Sequence, residues 1–579
     1  MQPNKNNKKI DELEKIISDS VNTTDALTDV MDKFNTKIIF KTFDNVKRSG
    51  VEGSKILTIL LILPFYQVAS IRALFKSGLQ KVIGKKDVYY DFKNNEKINW
   101  RMLLNLIACR FMKIMQSDST VETNKIRAFI FDDSPIEKTT KKTEGVSLIH
   151  DHVTGRFIFG YKLLVCGYFD GTSFIPIDFS LHREKGNALE TAQHTCKTAL
   201  GKLEKAKAIL ATAKANKTQK KKKLKSLRTD VGKVSGKTQQ NKIEVAEKMC
   251  AKAEDEFLSA QKEVVKKKRQ LQNALHHVQE TEKKHPAYGL SKTDKKEQYR
   301  KTRKKNTYGY ERFKESDCSK IDNMLNMLRR AVKNGFVADY VLTDSWFFCY
   351  ELLYTLCHIA KGQIHLISMV KMGNQKFTML QNGKEYSIKS LLKLFERKAQ
   401  YCKKLKAHYI KVQSTYKGIR VNMFYVKMGR SNDWKLLVTT DLNLNFIKLL
   451  EVYKIRWSIE VFFKEGKQHL KLGQSLSQNF DAQIADITMS MVQYIMLCYY
   501  KRIHYQQSMG YLFADISKEM IEKNIAERLW DAFVELQSII GDIAGFDVLD
   551  IYQELFRKKE TAEIIKRIFI SPTQIINAA

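Results

Sequence analysis

Paired cysteines are missing from this sequence. Its nine cysteines (Cys109, Cys166, Cys196, Cys250, Cys318, Cys349, Cys357, Cys402 and Cys498) include no C-x-x-C pair. An odd, scattered set argues against a disulfide framework and a zinc cluster, and predicts a reducing compartment. Long apolar runs are also missing. The most apolar stretch, residues 56–63, stops at Pro64, well short of a membrane span. The first residues, Met1-Gln2-Pro3-Asn4-Lys5, lead into polar sequence with no secretory pattern. A soluble cytoplasmic protein with no membrane partner is therefore expected. Acidic residues are in deficit, 63 against 100 Lys and Arg, for a net charge of +37. Such an excess predicts a polyanionic partner, nucleic acid first. With 579 residues, 43% of them hydrophobic, the chain is long and apolar enough for two to four domains, and global disorder is excluded.

Periodicity divides the chain. Residues 1–120 read as a helical N-terminal region, with a basic patch at Lys47-Arg48, an apolar helix over 56–63 and a basic loop at Gly84-Lys85-Lys86. These pieces suit either a helix-turn-helix DNA reader or a plain helical bundle. Residues 121–184 turn to strand patterns: Ala128 to Phe131 ending in Asp132-Asp133-Ser134-Pro135, then 157–169 (FIFGYKLLVCGYF) and 173–181 (SFIPIDFSL) around an Asp170-Gly171 turn. Residues 185–310 are rich in Ala, Lys, Glu, Gln and Leu. Residues 201–310 of this segment carry roughly half of the positive excess, and the pattern predicts a two-helix hairpin broken near 230–236. That hairpin reads equally as a solvated spacer or as an arm gripping DNA. The basic run 301–305 (KTRKK) is expected to be exposed and to touch phosphates. Residues 311–361 hold a second buried strand, 337–342, ending at Asp344, with a helix expected from Ser345 to Ala360. Residues 362–445 mix strands with one lysine-rich helix over 387–405, and 446–510 and 511–579 are helical.

The most informative pattern is a row: Tyr453, Arg456, Glu460 and Lys467. Offsets of 3, 7 and 14 fall close to one face of an α-helix. That face sets a carboxylate between cations, suited to a metal ion on one side and a phosphodiester on the other. Asp133 and Asp344 each close an apolar strand, and such strand ends are where open α/β sheets place active sites. Asp133, Asp344 and Glu460 are thus candidate ligands for a pair of Mg²⁺ ions, since hard cations prefer oxygen donors. Asp132 and Asp133 point to opposite faces of a strand, so only one of them should be a ligand. Taken singly, Arg456 and Lys467 would be surface cations, Tyr453 a core aromatic and Asp344 a helix N-cap. His150, His152 and His182 read as solvent or core histidines, because no Cys/His cluster accompanies them.

In order along the chain, FDDSP, VLTDSW and the Y-(2)-R-(3)-E-(6)-K row resemble the DDE transposases of bacterial insertion sequences, specifically the IS-four-type family. The resemblance implies a mixed α/β fold: an RNase H-like core carrying a β-rich insertion, with helical N- and C-terminal regions. It implies Mg²⁺-dependent cut-and-paste transposition, Mn²⁺ being able to substitute, with Asp133, Asp344 and Glu460 catalytic and metal-binding. Asp133 is favoured over Asp132 because the family pattern sets a hydroxyl residue next, as Ser134 does here. Tyr453, Arg456 and Lys467 would contact double-stranded DNA. The ends would be inverted repeats, joined to target DNA within a homodimeric synaptic complex on the bacterial nucleoid. The hairpin at 185–310 departs from the pattern, which has only a short connection there. An RNase H-like nuclease or resolvase without strand transfer and a domesticated, non-enzymatic DNA-binding protein are the alternatives.

Overall fold

The computed structural model describes residues 26–46, 49–68, 70–77, 83–117, 125–229, 237–429, 433–504 and 508–545. The Lys47-Arg48 patch, the 230–236 break and the helical pattern beyond 545 lie outside them.

The described part of the N-terminal region holds six helices: α1 (Ala26–Lys33), α2 (Thr36–Lys41), α3 (Gly53–Ile62), α4 (Ile71–Lys76), α5 (Lys86–Lys93) and α6 (Trp100–Ser117). The four core strands β1 (Ala128–Glu137), β2 (Ser147–Asp151), β3 (Arg156–Phe169) and β4 (Phe174–His182) follow. The β3–β4 turn is closed by the Asp170 carboxylate, which accepts the N–H groups of Thr172 and Ser173, with Gly171 at φ +101°. Then come α7 (Asn187–Thr229), α8 (Lys237–Lys284), α9 (Lys292–Glu297), α10 (Tyr308–Glu315) and α11 (Lys320–Lys333). They lead back to β5 (Tyr340–Thr343), α12 (Tyr350–His358) and β6 (His365–Val370). An antiparallel extension comprises β7 (Lys376–Met379), β8 (Glu385–Ser387), α13 (Ile388–Phe395), β9 (Gln400–Cys402), β10 (Ala407–Tyr416), β11 (Ile419–Met428) and β12 (Lys435–Thr439). The chain ends in α14 (Phe446–Lys454), α15 (Ser458–His469), α16 (Phe480–Ile503) and α17 (Met509–Ala544).

All twelve strands join one mixed sheet in the order β2-β3-β1-β5-β6-β12-β11-β10-β7-β8, with β4 on β3 and β9 on β10. β1 is central. It runs antiparallel to β3 over its whole length but parallel to β5 only from Ala128 to Phe131. The parallel ladder therefore stops one residue before Asp132, and Pro135, which has no N–H to give, sits beyond it. β6 falls inside the expected 362–445 segment yet pairs in parallel with β5. α16 is buried on nearly every side, as its all-round apolar sequence requires, and packs against α6 and β4. Through it the N-terminal helices share one core with the sheet.

Three expectations change. The helix predicted from Ser345 begins only at Tyr350, because the Asp344 carboxylate folds back onto the N–H of Trp346 (2.9 Å) in a turn. The lysine-rich helix stops at Phe395, since Gln400–Cys402 is drawn into pairing with β10. The 301–305 run is an exposed basic loop only in part: Lys304 and Lys305 are exposed, but Lys301 and Arg303 turn inward. Arg303 is buried, bidentate to Glu144 (2.9 and 2.7 Å) and bonded to both oxygens of Asp481 (3.0 and 3.2 Å). Lys301 donates to Asp481 as well, at 2.8 Å.

Gly160 lies between β1 and β2, opposite Glu137 and Ser147, and a Cβ there would stand 1.9 Å from the Ile136 carbonyl oxygen. Backbone cannot yield as a side chain can. Gly160→Ala is expected to cost about 3 kcal/mol, read as a lowered midpoint in urea unfolding.

Candidate active site

The site forms where β1 and β5 lose each other. Continuing their parallel register one step sets Asp132 beside Asp344. The helical row reaches them from above as α14, a single 3₁₀ turn (Ile455–Trp457) and α15. The short turn tightens the path at Arg456 without breaking it, so Tyr453, Arg456 and Lys467 all reach the strands.

Three members of the row have a partner there, and Glu460 is tied to them through Arg456. Tyr453 Oη donates to the Thr343 carbonyl at 3.2 Å, next to Asp344. Arg456 spans two carboxylates, Nη1 to Asp132 at 3.1 Å and Nη2 to Glu460 at 2.5 Å. Lys467 Nζ donates to Ser134 Oγ at 2.8 Å and to the Pro135 carbonyl at 2.9 Å. Strand alternation then separates the two aspartates. Asp132 and Ser134 face α15, whereas Asp133 turns to the other side, where Lys320 Nζ lies at 3.2 Å and Lys162 Nζ at 4.0 Å. The structure thus links Asp132, Arg456 and Glu460 directly and sets Asp344 beside Asp132, while Asp133 turns to the lysines but stays within electrostatic reach of both other aspartates.

Burial shapes the charges. Desolvation pushes the Asp132 carboxyl up to about 7, with Asp344 and Asp133 adding to it and Arg456 opposing. Burial likewise raises Asp344, against the Trp346 N–H bond. Burial lowers Lys467 and lifts the Tyr453 phenol to about 12. A half-buried set of carboxylates whose mutual repulsion favours protonation is a set that a cation would relieve. Hard oxygen donors fit a divalent ion such as Mg²⁺. Among the described residues, however, no group of three His, Cys, Asp or Glu side chains is arranged to hold a metal ion. The Arg456 guanidinium instead bridges two of the acids. The donor chemistry fits a metal, with an arginine now providing the positive charge.

Two neighbours escaped the sequence reading. Lys320, at the start of α11, contacts Asp133, lies 3.5 Å from Glu184 and sits 4.7 Å over the Trp346 ring. Trp346, two residues after Asp344, is 45% exposed. Its place in VLTDSW was a usable signal; nothing in the sequence marked Lys320.

Residues 314–496 match the family model of the transposase DDE domain. The match spans about a third of the chain. It includes Asp344 and the whole Tyr453–Lys467 row, together with the antiparallel extension, and begins after β1–β4 and the long hairpin. No curated protein matches the chain. No described helix is long and apolar enough to cross a membrane.

His182 illustrates the packing behind the site. It is buried, 2.8 Å from Ser180 Oγ and 3.3 Å from Asn323 Nδ2. Burial, with nearby Lys320, lowers it to about 4. The unfolded chain takes up this proton near pH 6.5 and the folded one only near 4. Its contribution to stability is therefore complete above pH 6.5 and lost as pH falls to 4, by up to roughly 3 kcal/mol. Urea unfolding at pH 7 and 4.5 should show this loss, and His182→Gln should reduce the difference.

Proposed function

We propose that this chain is a transposase of the IS-four type, built on an RNase H-like core, that cleaves inverted-repeat ends and joins the freed 3′-hydroxyls to target DNA. One observation carries the reading. A Y-R-E-K row, inside the span that matches a transposase DDE domain, converges on the paired ends of β5, inside that span, and β1, which precedes it, and both strands lead into aspartates. The order β4-β3-β1-β5-β6, antiparallel among its first three members and parallel among its last three, supports the core assignment.

Asp344 and Glu460, with one of the Asp132–Asp133 pair, would hold Mg²⁺. The contacts of Asp132 with the row favour it, while the Ser134 that follows Asp133 favours the other. Two bound ions would activate a water or 3′-hydroxyl and stabilise the leaving oxygen. Arg456 and Lys467 would exchange their present oxygen partners for phosphate oxygens of the DNA end, and Tyr453 would hold the strand end in place. Two ends must be brought together, so a homodimer is the expected active form, acting at the bacterial nucleoid. Linear DNA bearing the terminal inverted repeats that flank the gene, incubated with protein and Mg²⁺, should yield strand-transfer products. Cleavage without joining would instead identify a nuclease or resolvase. Binding with neither would leave a DNA-binding protein alone.

A further inference from the structure

The hairpin that interrupts the path between the aspartates carries its charge unequally. α7 holds twelve Lys and Arg against two acidic residues, whereas α8 holds eleven against eight. From Lys214 to Thr229, α7 has eight cations and no carboxylate. Three are neutralised across the hairpin: Lys217 and Lys221 by Glu254, and Arg228 by Glu247. Lys214, Lys222, Lys223 and Lys225 are exposed and pair with no carboxylate among the described residues. Clustered like charges weaken a helix. A plain spacer would gain nothing from keeping them all on one strand of the hairpin.

The hairpin is also a fixed rod. Buried and half-buried residues recur along α7 at spacings of three and four, as at Leu203, Ala206, Leu210 and Ala213. Its root is clamped. The Arg183 guanidinium stacks on Tyr288 at 3.9 Å and pairs with Asp317 at 3.4 Å, while Tyr288 Oη donates to Asp317 at 2.8 Å. That root adjoins the Asp133 side of the site, opposite α15, because Glu184 shares Lys320 with Asp133. At 1.5 Å per residue, α7 is about 64 Å long and Lys214 stands about 40 Å from its start.

We infer that α7 is a duplex-DNA-binding arm, taking the phosphate backbone roughly 12–19 base pairs from the position held at the carboxylates, at 3.4 Å per base pair. This rests on the reading of that site as DNA-cleaving. An uninterrupted helix of this length matches a duplex, which is stiff over about 150 base pairs, better than it matches a coiling single strand.

The test uses the full chain with Lys214, Lys222, Lys223 and Lys225 all replaced by Gln, which keeps helix propensity. Circular dichroism checks that the variant folds. Affinity for a random-sequence duplex of about 40 base pairs is titrated against salt. Four lost phosphate contacts should reduce the slope of log K against log salt by about 3 to 4. An unchanged slope and affinity would overturn the inference. A larger effect on single-stranded RNA than on duplex would overturn the choice of partner. Metal-dependent cleavage by the parent protein is measured in parallel. A reduced slope with no cleavage by the parent supports the arm and overturns the active-site reading alone.

Discussion

Replacing Glu460 by Gln is expected to abolish metal-dependent DNA cleavage, by roughly a thousandfold or more, with duplex binding retained. The substitution preserves shape and removes a charge, so it deletes a ligand without opening a hole. A thousandfold corresponds to about 4 kcal/mol of transition-state stabilisation, within what a lost catalytic metal ligand commands. Arg456 keeps Asp132 as a partner at 3.1 Å, so α15 should stay docked. Asp344→Asn should behave in the same way. Comparing Asp132→Asn with Asp133→Asn then distributes the third role. The contacts of Asp132 with the row predict that it falls as far as Glu460→Gln, while Asp133→Asn retains measurable cleavage. The reverse result would give the ligand role to Asp133. Full cleavage by Glu460→Gln would remove the row from the chemistry.

The second large effect lies away from the site. Arg303→Ala is expected to cost about 3–5 kcal/mol, because it leaves the buried carboxylates Glu144 and Asp481 without their shared guanidinium. Glu144 also accepts the backbone N–H groups of Lys301 and Phe480, so it cannot turn away to solvent. Chemical unfolding measures the loss. If the cause is uncompensated charge, adding Glu144→Gln and Asp481→Asn should restore part of the stability. A single variant as stable as the parent would show that the network contributes nothing net.

Much of the sheet was legible because its strands are long, apolar and punctuated. The 157–169 and 173–181 runs around Asp170-Gly171 became β3 and β4 almost residue for residue. Short edge strands were not legible: Lys376–Met379 and Glu385–Ser387 bury too few residues to show a period. Arg303 was misread for a different reason. In sequence it lies in a basic run, and the carboxylates that bury it are 159 and 178 positions away. The row's spacing foretold a shared face, and the structure shows that face turned to the strand ends. Which of two adjacent aspartates meets it is a question of one residue in strand register. It depends on a contact with Arg456 across 324 positions, and no local pattern encodes that.

The place of the hairpin in the chain also governs how the protein must be made. β1 is complete at Glu137, yet its parallel neighbour β5 begins only at Tyr340, so a growing chain carries an unpaired central edge through some two hundred residues of synthesis. Closing so long a gap by random search would be slow, since non-local strand pairing delays folding. The hairpin shortens that search. Its contacts are local, so it can form as soon as α8 emerges. Once Tyr288 returns to the root beside Lys185 and Arg183, the ends of the insert are already close together. What remains for β5 is a short tether, and the aggregation-prone edge of β1 is exposed for correspondingly less time.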